Sequence, residues 1–216
     1  MDQRFKNILH ISSIHVPLFC SKTKAYVLMT TLTTFSDRVR ESAQCIAESG
    51  AAALSGLYDL TSMRLVRFSV TITRNQHDAE DAVQAALVRV VGNASLLSRA
   101  DSPWPYLLRM VRNESLVILR RKRRGAIVSN LTDLLTHRSV DEVEQEESFR
   151  AVWLALRTLP VEQSEVVVLK IWEEFTFAQI AEVLSIPSAT AASRYRYAMQ
   201  KLAIELRSQA VEATHE

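Results

Sequence analysis

From Leu54 to Thr73 the apolar residues Leu54, Leu57, Tyr58, Leu65, Val66, Phe68 and Ile72 fall mostly at the spacing of one helical face. The polar stretch Arg74–His77 interrupts it, and Asp78 then stands as an N-cap for a helix from Ala79 to about Val91. Asp81 would occupy the third helical position, where a carboxylate suits the helix dipole. Ala82, Val83, Ala86, Leu87 and Val90 face a core, and Gly92-Asn93 ends the helix. Ala94–Asp101 is expected as a loop. Ser102 then caps a helix whose first turn tolerates Pro103 and Pro105, because the first backbone N–H groups have no intrahelical partner. Trp104, Leu107, Leu108, Val111, Ile118 and Leu119 lie on or near one face, with Trp104 a core anchor. Arg109, Arg112, Asn113 and Arg120 lie on another, and the helix runs out in Arg120–Gly125.

Periodicity weakens between Gly125 and Glu147, where five acids occupy the seven residues Asp141–Glu147. As a flexible coil this linker would average roughly 25–30 Å end to end and could stretch to about 75 Å. Helical spacing resumes with Phe149, Val152, Trp153 and Leu156 and stops at Leu159-Pro160. Glu162–Ile171 predicts a second helix. Thr176-Phe177-Ala178-Gln179 reads as a capping box opening a third, Phe177–Leu184. Ser185-Ile186-Pro187 makes a turn, and Ser188 caps a fourth helix to about Leu206. A short helix, a tight turn and a helix rich in Ser, Thr, Arg and Tyr is the layout of a DNA-reading helix-turn-helix.

The expected architecture is therefore all-α: two small helical domains, 51–124 and 148–208, joined by a flexible linker over 125–147, the second containing the helix-turn-helix. Residues 1–50 form a leader. Its segment Met1–Leu28 is expected to be disordered or to precede a true start at Met29, since Thr33–Glu48 resumes a helical pattern. The interrupted apolar stretch Ile8–Phe19 makes a poor signal peptide.

Composition supports this. Four Gly and five Pro are few for a turn-rich β protein, and 48% apolar residues suffice for one moderate core or two small ones. Net charge is only +2, so nucleic-acid binding must rest on local charge. Cys20 and Cys45 lack ligand spacing and suit reduced thiols in the cytoplasm. No apolar run is long enough to span a bilayer. His77-Asp78 superficially resembles a hydrolase dyad, but the other histidines are scattered and neither a phosphate loop nor a nucleophile motif is present. An enzyme, a metal site and a bound cofactor are all disfavoured.

Two basic surfaces carry the candidate chemistry. On the last helix Ala191, Tyr195, Ala198 and Leu202 form the core stripe, leaving Ser188, Thr190, Ser193, Arg194, Arg196, Tyr197 and Gln200 outward. Arg can grip guanine or phosphate, and Ser, Thr and Gln can bond base edges or backbone oxygens. The five consecutive cations Arg120, Arg121, Lys122, Arg123 and Arg124 exceed what a helix dipole favours, which points to phosphate contact.

In this order the motifs resemble bacterial sigma factors of the extracytoplasmic-function group. Residues 54–124 look like their region two and 149–206 like region four. Asp78-Ala79-Glu80-Asp81-Ala82-Val83-Gln84 is similar to the polymerase-clamp helix of that group, and Trp104–Asn113 to the segment facing the melted minus-ten element. Leu156–Pro160 and Ala178–Pro187 are similar to its minus-thirty-five reader. The usual acid and Phe after the clamp-helix Gln are replaced by Ala85-Ala86-Leu87, and the usual Val and Lys after Thr190 by Ala191-Ala192. The resemblance implies polymerase binding through Asp78, Glu80, Asp81 and Gln84. It implies DNA binding through Arg109, Arg112, Asn113, Arg120, Arg121, Lys122 and Arg123 in one domain, and Ser188, Thr190, Ser193, Arg194, Arg196 and Tyr197 in the other. Core RNA polymerase, promoter DNA and an anti-sigma factor are the partners it implies. A flipped base would be captured by the Ala94–Asp101 loop, at an unstacking cost of a few kcal/mol that selects sequence. The competing reading is a stand-alone helix-turn-helix regulator.

Overall fold

The computed structural model describes residues 34–128 and 147–212, with side chains over 34–124 and 152–206. Met1–Leu28, the alternative start at Met29 and the linker over 129–146 lie outside the described residues. The described chain is helical and contains no strand.

Helix α1 (Phe35–Ser49) belongs to the folded body, not to the leader in which the sequence reading placed it. Thr34 and Asp37 form a reciprocal capping box, and Val39, Ala43 and Ile46 share one buried face. Hydrogen bonds from Thr34 hold the Asp37 carboxyl below its ordinary pKa. A 3-10 turn, Gly50–Ala53, leads into α2 (Leu54–Thr73). That helix ends at Arg74, whose φ of 58° puts a non-glycine residue in the left-handed region.

Helix α3 spans Gln76–Gly92 and starts before its expected position. Its N-cap is Asn75, whose side chain accepts from the Asp78 backbone N–H, so Asp78 sits in the first turn instead of capping it. The expected loop contains a short helix, α4 (Ala94–Ser98), pinned by the buried Leu97. Helix α5 (Pro103–Val128) continues past Gly125 into the segment assigned to the linker. Helices α2, α3 and α5 pack on one another, and α1 covers α2, α4 and α5. Leu57, Leu65, Phe68, Leu87, Leu107, Leu108 and Trp104 are buried there. Truncating one such large side chain typically costs about 2–5 kcal/mol.

The second body comprises α6 (Glu147–Thr158), α7 (Val161–Ile171), α8 (Phe177–Leu184) and α9 (Ser188–Glu212). The Thr176/Gln179 capping box opens α8 as expected. Ser185 terminates it in the left-handed conformation, and Ile186 N–H closes onto the Ala181 carbonyl at 3.1 Å. Ser188 is the first helical residue of α9 and not its cap. On α9, Ala191, Ala198 and Leu202 are buried, while Tyr195 is half-buried and tilted against Phe177. Trp153 stacks on Trp172 with centroids 5.6 Å apart.

The two bodies touch directly, α2 against α7 and α5 against α8. Among the described residues no helix is long and apolar enough to cross a membrane.

Candidate nucleic-acid interface

The polar face of α5 divides into open and engaged residues. Arg109 and Asn113 are exposed, as are Arg120, Arg121, Arg123 and Arg124, with Arg120 Nε reaching back to the Leu116 carbonyl. Arg112 is engaged. Its Nε donates to Glu165 Oε1 at 2.7 Å and its Nη2 to Oε2 at 3.3 Å, with side chains only 18% and 1% exposed. Lys122 points back across its own domain and donates to Asp78 Oδ2 at 2.7 Å.

That bond gives one acid of α3 a partner within its own body. The Asp78 side chain is 8% exposed and neutralised by Lys122, so it fastens α5 to α3 instead of presenting charge outward. Glu80, Asp81 and Gln84 remain exposed on α3, and Val88, 69% exposed one turn beyond Gln84, extends their face. His77 pairs with Asp81 at 3.8 Å, and Gln76 donates to Glu80.

On α9, Ser188, Arg196, Tyr197 and Gln200 are exposed, whereas Thr190, Ser193 and Arg194 are half-buried. Ser193 Oγ donates to the Thr190 carbonyl, and the Arg196 guanidinium lies 5.2 Å from the Tyr197 ring centre. These side chains lie on the second helix of a pair joined by the tight turn Ser185-Ile186-Pro187, the layout of a helix-turn-helix.

Between α4 and the start of α5 lies a cavity of about 330 Å³ lined by Ser95, Leu96, Arg99, Asp101 and Tyr106. Glu182 of α8 also lines it. Arg40 of α1 donates to the Asp101 carbonyl and props the cavity rim.

Three polar groups at the contact between the bodies escaped the sequence reading. Glu173 accepts from Trp104 Nε1 at 2.9 Å and from Arg64 at 3.4 Å. Arg64 in turn covers the Phe35 ring at 3.9 Å, and Phe35 meets Trp104 edge-on at 4.9 Å. Glu165 is the second group. Burial pushes both carboxyls above their ordinary pKa, against the pull of Arg112 and Arg194 on Glu165 and of Arg64 and Arg67 on Glu173. The third is Arg74, which donates to the Leu156 and Leu159 carbonyls at 3.2 and 2.8 Å and to Ser164 Oγ at 3.2 Å. Burial, with Arg157 nearby, lowers its pKa. For Glu165 the available signal was an acid directly before the apolar run Val166–Leu169 of α7, where a buried carboxylate needs a partner.

Among the described residues no cluster of His, Cys, Asp and Glu could hold a metal ion. Sigma-70 region 2 matches residues 57–125, and Sigma-70 region 4 matches residues 149–202. The extracytoplasmic-function RNA polymerase sigma factor SigM of Mycobacterium tuberculosis is 30% identical over 151 residues, covering 70% of this chain and 76% of SigM. SigW of Bacillus subtilis is 25% identical over 169 residues, covering 72% and 89%. Among solved structures, CnrH in complex with the cytosolic domain of CnrY superposes with a TM-score of 0.58 at 20% identity, over 80% of this chain and 99% of that one. The sigma factor RpoE in complex with the anti-sigma factor NepR, from Bartonella quintana, gives 0.57 at 20% identity, over 69% and 94%.

Proposed function

This chain belongs to the extracytoplasmic-function group of sigma-70 factors, RNA polymerase subunits that recognise promoters, and from that membership we propose how its two bodies divide the work. The α1–α5 body docks on core polymerase through Glu80, Asp81, Gln84 and the exposed Val88, a face that is acidic around one apolar contact. Its α5 helix tracks the opened minus-ten strand with Arg109, Arg112 and Asn113, and the basic run Arg120–Arg124 lies along phosphates. The cavity beside α4 takes an unstacked base. The α6–α9 body inserts α9 into the major groove of the minus-thirty-five element, with Arg194 and Arg196 the base- or phosphate-gripping side chains. The chain catalyses no reaction and needs no cofactor; it acts in the cytoplasm by redirecting polymerase. An anti-sigma factor is its expected antagonist, since the similar RpoE structure is a complex with one.

The observation that carries this reading is the pairing of an exposed acidic face on α3 with an exposed Arg-bearing reading helix on the other body. Run-off transcription on a promoter library, with core polymerase present and the protein added or omitted, tests it. Transcripts from a defined subset of promoters should appear only when the protein is added. Reversing Glu80 and Asp81 to Arg should weaken co-purification with core enzyme through like-charge repulsion. Binding to the same DNA with no polymerase-dependent transcript would favour the stand-alone regulator instead.

A further inference from the structure

Helices α3 and α5 of the first body are joined by two ion pairs of opposite polarity. Asp78, in the first turn of α3, accepts from Lys122 Nζ at 2.7 Å near the end of α5. Arg89, in the last turn of α3, lies 2.9 Å from Glu114 Oε1 nearer the middle of α5. The helices are therefore antiparallel, and the two pairs stand roughly 12–16 Å apart along them at about 1.5 Å per residue. Both acids are largely covered, whereas the Lys122 and Arg89 side chains remain 59% and 67% exposed. The buried face of α3 includes Ala79, Ala82 and Ala86, whose single methyl groups offer its neighbours a shallow surface.

We propose that Lys122 and Glu114 are positioning residues for promoter opening. Through Asp78 and Arg89 they hold α5 in one register on α3, so that the seat taken on polymerase fixes where the strand-facing side chains stand. The proposal rests on the docking role given above to α3 and the minus-ten role given to α5. Each pair sits beside working residues on both helices. Asp78 precedes Glu80 and Asp81, Arg89 follows Val88, Glu114 follows Asn113, and Lys122 lies inside the Arg120–Arg124 run. A slip of α5 by one turn would carry Arg109 and Asn113 about 5.4 Å, more than a hydrogen bond to a base edge or phosphate tolerates.

Cations this exposed add little to stability, because solvent screens them. What they add is direction. Apolar burial holds the helices together without fixing how far one has slid along the other, and a short charge-assisted hydrogen bond does fix it. The opposite polarity sharpens the choice. A shifted register that drew Lys122 toward Arg89, or Asp78 toward Glu114, would set like charges together. Lys122 is thereby drawn out of the phosphate contacts of its run, whose salt dependence falls to the neighbouring arginines.

The test uses the full chain with core polymerase on a promoter that gives a run-off transcript, and reads unpaired thymines of the minus-ten element with permanganate. Lys122→Met and Glu114→Gln should bind core as tightly as wild type, yet open the promoter roughly tenfold less, the scale of one lost hydrogen bond to a charged group. Lys122→Arg keeps the pair and should keep opening. Asp78→Asn should lower opening at saturating polymerase as Lys122→Met does, and the two together should lower it no further, because both break one bond. A direct phosphate contact by Lys122 would instead flatten the salt dependence and add to the effect of Asp78→Asn, which would overturn the proposal. Opening at the wild-type level in Lys122→Met and Glu114→Gln would overturn it too, as would loss of core binding in step with opening. In the chain alone, spin labels at the exposed positions Val88 of α3 and Arg124 of α5 should give a narrow distance distribution in wild type and Lys122→Arg. It should broaden in Lys122→Met, and an unchanged width would sink the register lock. Failure of the sigma-factor assignment itself would appear as no transcript from wild type, and the spin labels would still decide the register.

Discussion

Arg196 and Arg194 lie two residues apart on one helix and differ in what surrounds them. Arg196 is exposed beside the Tyr197 ring, whereas Arg194 is half-buried and under the influence of Glu165. Arg196→Ala should therefore alter promoter preference or lower activity evenly over promoters. If it contacts a base, the loss is about 1–3 kcal/mol at one or two base pairs of the upstream box, with core binding intact. Selection from a randomised upstream box reads this out, and an unchanged preferred sequence together with unchanged activity would remove Arg196 from the reading surface. The outward position of Arg196 was legible from the Ala191, Ala198, Leu202 stripe alone. The engagement of Asp78 by Lys122 was not, because the two are 44 residues apart and meet only after α3 and α5 pack. The same holds for Arg112, whose partner lies in the other domain.

At the scale of elements, the pattern of apolar residues located α2, α3, α5, α6, α7, α8 and α9, because each buries a stripe at helical spacing. Ends were less legible. Asn75 and Asp78 are both good caps three residues apart, and the earlier one captures the Asp78 N–H. Helix α4 has five residues, too short for periodicity to register. Helix α1 matches the helical pattern read over Thr33–Glu48, but its short buried stripe of Val39, Ala43 and Ile46 did not reveal that it packs on the first body. The capping box of α8 was readable, since it depends on a hydroxyl and an amide three residues apart. Thr176 accepts the Gln179 N–H at 3.3 Å and Gln179 returns a bond to the Thr176 N–H at 2.9 Å. Thr176→Ala should cost about 1 kcal/mol of stability. Urea denaturation of the variant would measure it, and because α8 sets the angle of α9, upstream-box binding should weaken as well.

At the scale of the whole molecule, two all-α bodies were predictable and their mutual contact was not. It depends on complementary charges 53 and 109 residues apart in the chain, a relation no local pattern encodes. The contact carries a pH dependence with a definite sign. Glu165 is faced by Arg112, Arg194 and Glu162, and Glu173 by Arg64, Arg67, Glu174 and the Trp104 indole. For both carboxyls burial prevails, so their pKa lies above 4.5 when the bodies are together and returns toward 4.5 when they part. Proton uptake accordingly favours the arrangement in which the bodies touch. That contribution is fully present below the ordinary carboxyl value and is lost as pH rises through the raised ones. With a donor and an acceptor dye at the exposed positions Met63 of α2 and Ile204 of α9, energy transfer should decline across that interval, and a rise with pH would contradict the assignment. Trp104 gives the molecule its own optical reporter of the same event. Its indole is almost fully covered, with its N–H spent on Glu173. The stacked Trp153 and Trp172 both sit within the second body and travel together. Parting the bodies hydrates one tryptophan of three, so the emission of the unlabelled protein carries a red-shifted component whose size counts the chains that have opened.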